Sequence, residues 1–152
     1  MNELIGKAVA NADSLDEVFD SLISLLADIK DESGSGVAYV AGIVNSDGSE
    51  FRDRNIERLQ SFTTKIGEKY GLVTFSAADL FPRDVFTKVT RNGFNPEEFK
   101  SGWKRVFSSG YIEQVFMTPR WEVSDGATDE HNVATQLGLV INYAGEDLLN
   151  NK

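Results

Sequence analysis

The chain contains no cysteine and only one histidine, His131, among its 152 residues. Without cysteine it can form neither a disulfide nor a thiolate metal site, and it has no thiol nucleophile. A lone histidine lacks the second ligand that a zinc site requires, so we expect no metal and no other cofactor. On a helix, His131 would point about 100° away from its neighbour Glu130, which favours a surface or packing role.

The sequence also lacks a lysine- or arginine-rich run and a long apolar run. Its formal net charge is −9 and its pI is near 4.6, so we expect no polymeric nucleic acid as a partner. No apolar segment approaches the roughly 20 residues that span a bilayer, which argues against a membrane partner. The N-terminus lacks the order of a secretory signal, and we expect a cytoplasmic location.

What the sequence does contain is typical of one folded domain, with 41% hydrophobic and 26% charged residues. A capping box at residues 14–17 begins an amphipathic helix that should reach about residue 30. Asp31–Gly36, "DESGSG", is expected to be a flexible joint, which divides the chain into 1–36 and 37–152. The first helix could pack on its own domain, which we favour, on a second copy, or be partly mobile.

Strand and helix patterns alternate along residues 37–152. "VAYVAGIV", residues 37–44, is apolar on both faces, as in a central strand of a parallel sheet. The alternation predicts a three-layer, flavodoxin- or Rossmann-like α/β domain with a parallel sheet of four to five strands and an extra N-terminal helix. The other segments are strands at 72–76, 111–118 and 139–143, helices at 51–70, 96–108 and 126–138, an irregular section with one short helix at 77–93, and a terminal helix or tail at 144–152.

Ligands of open parallel sheets bind at the carboxyl ends of the strands, here the loops 43–51, 77–95 and 118–127. None of them carries a glycine-rich dinucleotide fingerprint or a Walker loop. In the third loop, Ser124 precedes a helix start whose free amides favour an anion, and Glu130 follows one turn deeper. On spacing alone, a plain N-cap with an ordinary acidic partner is the favoured reading.

Two sequence motifs resemble the nucleoside 2-deoxyribosyltransferase-like superfamily over residues 37–142. One is "VAYVAG" followed by a polar loop and an arginine-bearing helix. The other, which is more specific, has the pattern Trp-x-x-Ser-x-Gly-Ala-x-x-Glu. By motif the chain is most similar to a bacterial and phage branch and to the deoxynucleoside 5′-monophosphate N-glycosidases. The second motif comprises Trp121, Ser124, Gly126, Ala127 and Glu130.

The resemblance implies an enzyme that cleaves an N-glycosidic bond. It implies that Glu130 is the nucleophile, that Tyr39 positions it, and that Ser124 binds the 5′-phosphate with the amides near Gly126 and Ala127. Because the transferases that act on free nucleosides usually carry aspartate at the position of Ser124, a nucleotide monophosphate is favoured over a nucleoside. The superfamily uses no metal and forms dimers or larger homo-oligomers.

Four further positions belong to the expected site. Gly42 closes the first strand, and Asn45 stands where the monophosphate hydrolases carry arginine. Arg52 is then the nearest cationic ligand for the phosphate. Trp121 could stack on the base at the pocket edge or simply cover the end of the sheet.

The chain departs from the family at the general acid. Relatives place an aspartate a few residues before the tryptophan that matches Trp103, whereas residues 100–102 here are Lys-Ser-Gly. Glu97, Glu98 or Asp84 could substitute for that aspartate. A different class of function is therefore kept open: a non-catalytic nucleotide-binding or protein-interaction module on the same fold.

Overall fold

The protein is an α/β domain built on one parallel sheet. A computed structural model describes residues 1–44 and 48–150. Its strands pair in the order β2-β1-β3-β4, and every pair is parallel. With helices on both faces, this confirms the predicted three-layer Rossmann-like architecture. The strands are β1 (Val37–Ala41), β2 (Thr74–Ser76), β3 (Ile112–Met117) and β4 (Val140–Tyr143).

Helices cover the two faces of the sheet unequally. The larger core includes apolar residues of the first two helices and of the sixth and seventh, and the smaller core includes residues of the third and the last. No helix in the described ranges is long and apolar enough to cross a membrane. The helices are α1 (Asn2–Val9), α2 (Leu15–Ser33), α3 (Arg52–Tyr70), α4 (Ala77–Leu80), α5 (Arg83–Val89), α6 (Pro96–Ser108), α7 (Asp125–Gln136) and α8 (Asp147–Asn150).

Strand β1 is the centre of the sheet, and all five of its residues are buried. Tyr39 faces the larger core and Val40 the smaller one, so both faces must be apolar, as the sequence indicated. The strand ends at Ala41, three residues before the predicted end. The Thr118 hydroxyl donates a 2.9 Å hydrogen bond to the Ala41 carbonyl, and a Cβ atom on Gly42 would collide with that hydroxyl.

The N-terminal helices belong to the core of the α/β domain. Ser14 caps α2 as predicted, with its Oγ accepting a 3.2 Å hydrogen bond from the Glu17 amide. The helix continues to Ser33, so half of the expected joint is helical, and Gly34 ends it in the left-handed conformation. Phe19 packs edge-on to Trp103 at 5.3 Å. Helix α1 was not predicted, and its buried Ile5 extends the larger core.

Two short helices, α4 and α5, replace the single short helix expected between residues 77 and 93. Ser76 and Asp79 form a capping box at the start of α4, because the Ser76 amide donates to Asp79 and the Ala78 amide donates to the Ser76 hydroxyl. Helix α6 begins as predicted, with the Asn95 side chain accepting from the Glu97 amide at 3.0 Å. The segment from α4 to the start of α6 follows β2, so several of its side chains lie at the carboxyl edge of the sheet.

Candidate active site

A cavity of about 350 Å³ opens at the carboxyl ends of three strands. Gly42 after β1, Ala77 after β2 and Ser124 after β3 all line it. The connection after β1 runs to β2 and the connection after β3 runs to β4 on the opposite side, which makes the edge between β1 and β3 the topological switch point where α/β sheets bind ligands. We call this space the glutamate cavity.

Glu130 lies in the wall of the glutamate cavity and is buried, with 7% of its surface exposed. The Tyr39 hydroxyl donates to both carboxylate oxygens, at 2.7 Å from Oε1 and 3.1 Å from Oε2. Tyr39 is itself fixed by the rings of Phe75, Trp103 and Phe107, whose centroids lie 5.2, 4.8 and 5.1 Å away. The strand and the helix thus hold the carboxyl group in one orientation.

Burial changes the protonation of this pair. Loss of hydration raises the pKa of Glu130 to about 8, against a smaller opposing effect of the Tyr39 hydrogen bond. Burial, followed by the neighbouring Glu130 charge, raises the pKa of Tyr39 well above its usual value. Burial therefore favours the protonated form of Glu130 near neutral pH, in contrast to an exposed glutamate.

Ser124 is the N-cap of α7 and also lines the glutamate cavity. Its Oγ accepts a 3.1 Å hydrogen bond from the Ala127 amide, which is the N-cap geometry that the spacing indicated. A serine hydroxyl that accepts one hydrogen bond still has its own hydrogen to donate to a ligand. Gly126 and Ala127 also line the cavity. Four of the five motif positions, Ser124, Gly126, Ala127 and Glu130, are therefore brought together there.

Two cationic side chains line the glutamate cavity. The Arg52 guanidinium lies 4.7 Å above the Phe86 ring and donates from Nη2 to the Phe81 carbonyl at 3.3 Å. Its buried Nε has no hydrogen-bond partner in the described part of the chain. Lys100, which the sequence reasoning missed, pairs with Asp125 at 3.2 Å. In the sequence, only its position one helical turn before Trp103 indicated that Lys100 would line the cavity.

The acids of the cavity differ from those expected. Glu97, Glu98 and Asp84, the predicted substitutes for the missing aspartate, do not line it. Asp125 and Asp129 both line it instead. Asp125 is exposed, whereas Asp129 is partly buried, and burial raises the pKa of the Asp129 carboxyl.

Aromatic rings form much of the remaining wall. They come from the irregular segment and from the first turns of α6, and neighbouring centroids lie 5.1 to 6.4 Å apart. No periodic pattern along the chain predicts this cluster, since short helices and a loop bring its members together. The rings are Phe81, Phe86, Phe94, Phe99 and Trp103.

Of the predicted site residues that the structure describes, two do not line the cavity: Tyr39, which contacts it through its hydrogen bond to Glu130, and Trp121. Trp121 is absent from its lining and stacks instead on His131, with centroids 4.3 Å apart and rings inclined by 17°. His131 in turn lies 2.8 Å from the Tyr143 hydroxyl, so Trp121 covers the end of the sheet. Asn45 lies outside the described residues. Within the described ranges, no three histidine or acidic residues are grouped so that they could hold a metal.

Comparison of the chain with models of protein families, with curated proteins and with solved structures gave no match. The resemblance to the nucleoside 2-deoxyribosyltransferase-like superfamily therefore rests on the motifs alone. The function has to be argued from the cavity itself.

Proposed function

We propose that the protein is an N-glycosidase or deoxyribosyltransferase-like enzyme that cleaves the N-glycosidic bond of a nucleoside 5′-monophosphate. The observation that carries this proposal is the buried Glu130 carboxyl, held by Tyr39 in the wall of a cavity at the switch point of the sheet. A buried and oriented carboxylate in the wall of a cavity suits a reaction that develops positive charge on a sugar ring.

The two kinds of lining match the two ends of a nucleotide. The start of α7, with Ser124 and the first-turn amides, supplies hydrogen-bond donors and the positive end of the helix dipole for the phosphate. Arg52 adds a positive charge on the same cavity. The aromatic wall offers flat apolar faces on which the base can stack.

The reaction proceeds in two displacements. A Glu130 oxygen bonds to the anomeric carbon while the carbon–nitrogen bond breaks, and the bond electrons and one proton go to the departing base. Water then bonds to the same carbon, loses a proton, and releases the glutamate carboxylate and the sugar phosphate. We assign the proton transfers to Asp129, because Asp125 is paired with Lys100 and Glu130 forms the covalent bond.

This chemistry requires Glu130 to ionise. Since burial raises its pKa to about 8, ionisation of Glu130 should make kcat/KM rise as pH increases towards 8. Asp129 must be protonated to donate to the base, so kcat/KM should fall at pH values above the raised pKa of Asp129. The burial that raises the pKa of Asp129 favours this protonated form.

The test is to incubate the protein with deoxyribonucleoside and ribonucleoside monophosphates and to measure free base. We expect release from at least one of them, lost in Glu130→Gln and retained in Glu122→Gln, a matched change at an exposed glutamate. Release that is equal in Glu130→Gln and the wild type, or no release from any nucleotide, would contradict the proposal.

A non-catalytic nucleotide-binding module is the second candidate. The observation that favours it is Lys100, which lines the cavity just before Trp103, where the resemblance leads one to expect an acid. In this case a nucleoside monophosphate raises the melting temperature of the wild type and of Glu130→Gln equally, and no base appears.

The resemblance extends the proposal to a homodimer or larger homo-oligomer acting in the cytoplasm on a small nucleotide. Edge strand β4 carries exposed apolar side chains, with Val140 59% and Tyr143 64% exposed. A second copy could cover them. Light scattering should give at least twice the monomer mass, falling towards the monomer in Val140→Lys; a monomeric wild type would contradict this part.

A further inference from the structure

A second cavity, of about 290 Å³, is lined by residues adjacent in sequence to those of the glutamate cavity. The two share the chain segment after β1, since Gly42 and Val44 line the glutamate cavity and Ile43 lines the second one. They also share α3, which presents Arg52 to the first and Arg58 to the second. We call the second space the arginine cavity.

Three arginines line the arginine cavity, although the chain as a whole carries a net charge of −9. Arg54 and Arg58 are four residues apart on α3 and therefore lie on one face of that helix. Arg120 reaches the same space from the loop after β3. Like charges gathered in a concave site repel one another and attract an anion.

Protein carboxylates neutralise only part of this charge. Glu146 is the one acid in the lining, and it pairs with Arg58 at 2.5 Å. Arg54 lies 4.8 Å above the Phe51 ring. Among residues 1–44 and 48–150, neither Arg54 nor Arg120 has a carboxylate within ion-pair distance.

The backbone at Arg120 is held in an unfavourable conformation. Its φ of 66° makes it the one non-glycine residue with positive φ in the described part of the chain. A non-glycine residue in this region costs roughly 1 kcal/mol. A glycine there would remove the strain, so fold stability gives no reason for an arginine at this position.

We propose that the arginine cavity binds a small molecule carrying two or more phosphate groups. The planar guanidinium groups can each donate two parallel hydrogen bonds to phosphate oxygens, which suits a ligand with several charges close together. The space is concave and small, and the acidic chain offers no basic track beyond it, so a polymeric nucleic acid does not fit.

Glu146 competes with this ligand. Its carboxylate already occupies Arg58, so a phosphate group must displace it to use all three arginines. Removing the charge of Glu146 should therefore tighten binding, whereas removing Arg54 or Arg120 should weaken it. Opposite effects from changes at neighbouring positions distinguish a ligand site from a general loss of stability.

The experiment is calorimetric titration of the full chain, in low salt, with orthophosphate, pyrophosphate, tripolyphosphate and adenosine triphosphate. Pyrophosphate and longer anions should bind at least tenfold more tightly than orthophosphate. Equal affinity for tripolyphosphate and adenosine triphosphate assigns recognition to the phosphates alone, and tighter binding of the nucleotide assigns part of it to the organic group. No binding of any polyphosphate overturns the proposal.

The variants locate the site. Arg54→Gln/Arg120→Gln should weaken pyrophosphate binding at least tenfold, and Glu146→Gln should strengthen it about threefold. Arg91→Gln/Lys7→Gln removes the same charge at exposed positions outside both cavities and should change the affinity less than twofold. If Ser124→Ala abolishes binding while the Arg54 and Arg120 changes do not, the anion occupies the glutamate cavity and the proposal fails.

Arg120→Gly separates stability from binding. Relief of the left-handed backbone should keep or raise the melting temperature, because glycine adopts φ near 66° without strain. Pyrophosphate affinity should nevertheless fall severalfold. A variant that binds as tightly as the wild type would overturn the role of Arg120.

Discussion

The two cavities share a strand end and a helix, yet they have opposite chemistry. In the glutamate cavity, burial raises the pKa of Glu130 to about 8, and aromatic rings form much of the wall. In the arginine cavity, three guanidinium groups line one space, and one carboxylate opposes them. The comparison teaches that burial shifts the protonation of an ionisable group, whereas more exposed side chains can gather several charges of one sign around a cavity.

Removing the carboxylate should separate the cavities most strongly. We expect Glu130→Ala to lower kcat for base release at least about 1,000-fold, a loss of roughly 4 kcal/mol of transition-state stabilisation. Pyrophosphate affinity should be unchanged. A release assay and a titration on the same protein check both, and parallel losses would show that the cavities are not independent.

Ionisation of Glu130 should make stability depend on pH. Its folded pKa exceeds the ordinary value of 4.5, so the folded chain holds the proton more tightly, and the free energy of unfolding falls as pH rises from about 4.5 to about 8. Glu130→Gln cannot ionise and keeps an acceptor for Tyr39.

The free energy of unfolding of Glu130→Gln should therefore increasingly exceed that of the wild type as pH rises from about 4.5 to about 8, by up to roughly 2–5 kcal/mol. Urea unfolding at several pH values measures it. Glu122 is exposed, so the difference in free energy of unfolding between Glu122→Gln and the wild type should not change with pH. A flat difference in Glu130→Gln would refute a raised pKa.

Tyr39→Phe tests the orientation of the glutamate. Loss of the 2.7 Å hydrogen bond should lower kcat by about 10- to 100-fold. That bond opposes the effect of burial on the pKa of Glu130, so its removal should raise this pKa further and shift the acidic limb of kcat/KM to higher pH. An unchanged pH profile would argue that Tyr39 only fills space.

Gly42→Ala should disturb both cavities at once. The added methyl group would meet the Thr118 hydroxyl and the Leu59 side chain at the wall between them. We expect a loss of about 1–3 kcal/mol in the free energy of unfolding and weaker binding in both cavities. Gly6→Ala is the control, since this glycine lines neither cavity and a Cβ there would meet no neighbouring side chain within 4 Å.

Ser124→Ala should give the smallest effect. The loss of the hydrogen bond to the Ala127 amide costs about 1 kcal/mol of stability. If the hydroxyl also contacts the phosphate, KM for a nucleoside monophosphate should rise severalfold while kcat changes little. Stability loss with an unchanged KM would leave Ser124 as a cap alone.

Parts of the fold and of the site were predictable because they are encoded locally. Local signals predicted the order of elements and the parallel sheet. They are the apolar run at β1, the cap at Ser14 and the proline start of α6. The spacing from Ser124 to Glu130 placed both residues on one helix, and the loop position placed that helix start at the sheet edge. Helix α1 was missed because its eight residues carry only two buried positions.

The sequence by itself determined the α/β class, the alternation of elements and the placement of a serine cap and a glutamate on one helix, since these follow from short-range spacing. Tertiary structure alone decided the rest: that Trp121 turns to His131, that Lys100 and Asp129 enter the cavity, and that α3 and the β3 loop gather three arginines. Contacts between segments far apart in sequence depend on the packing of whole elements, which no local pattern records.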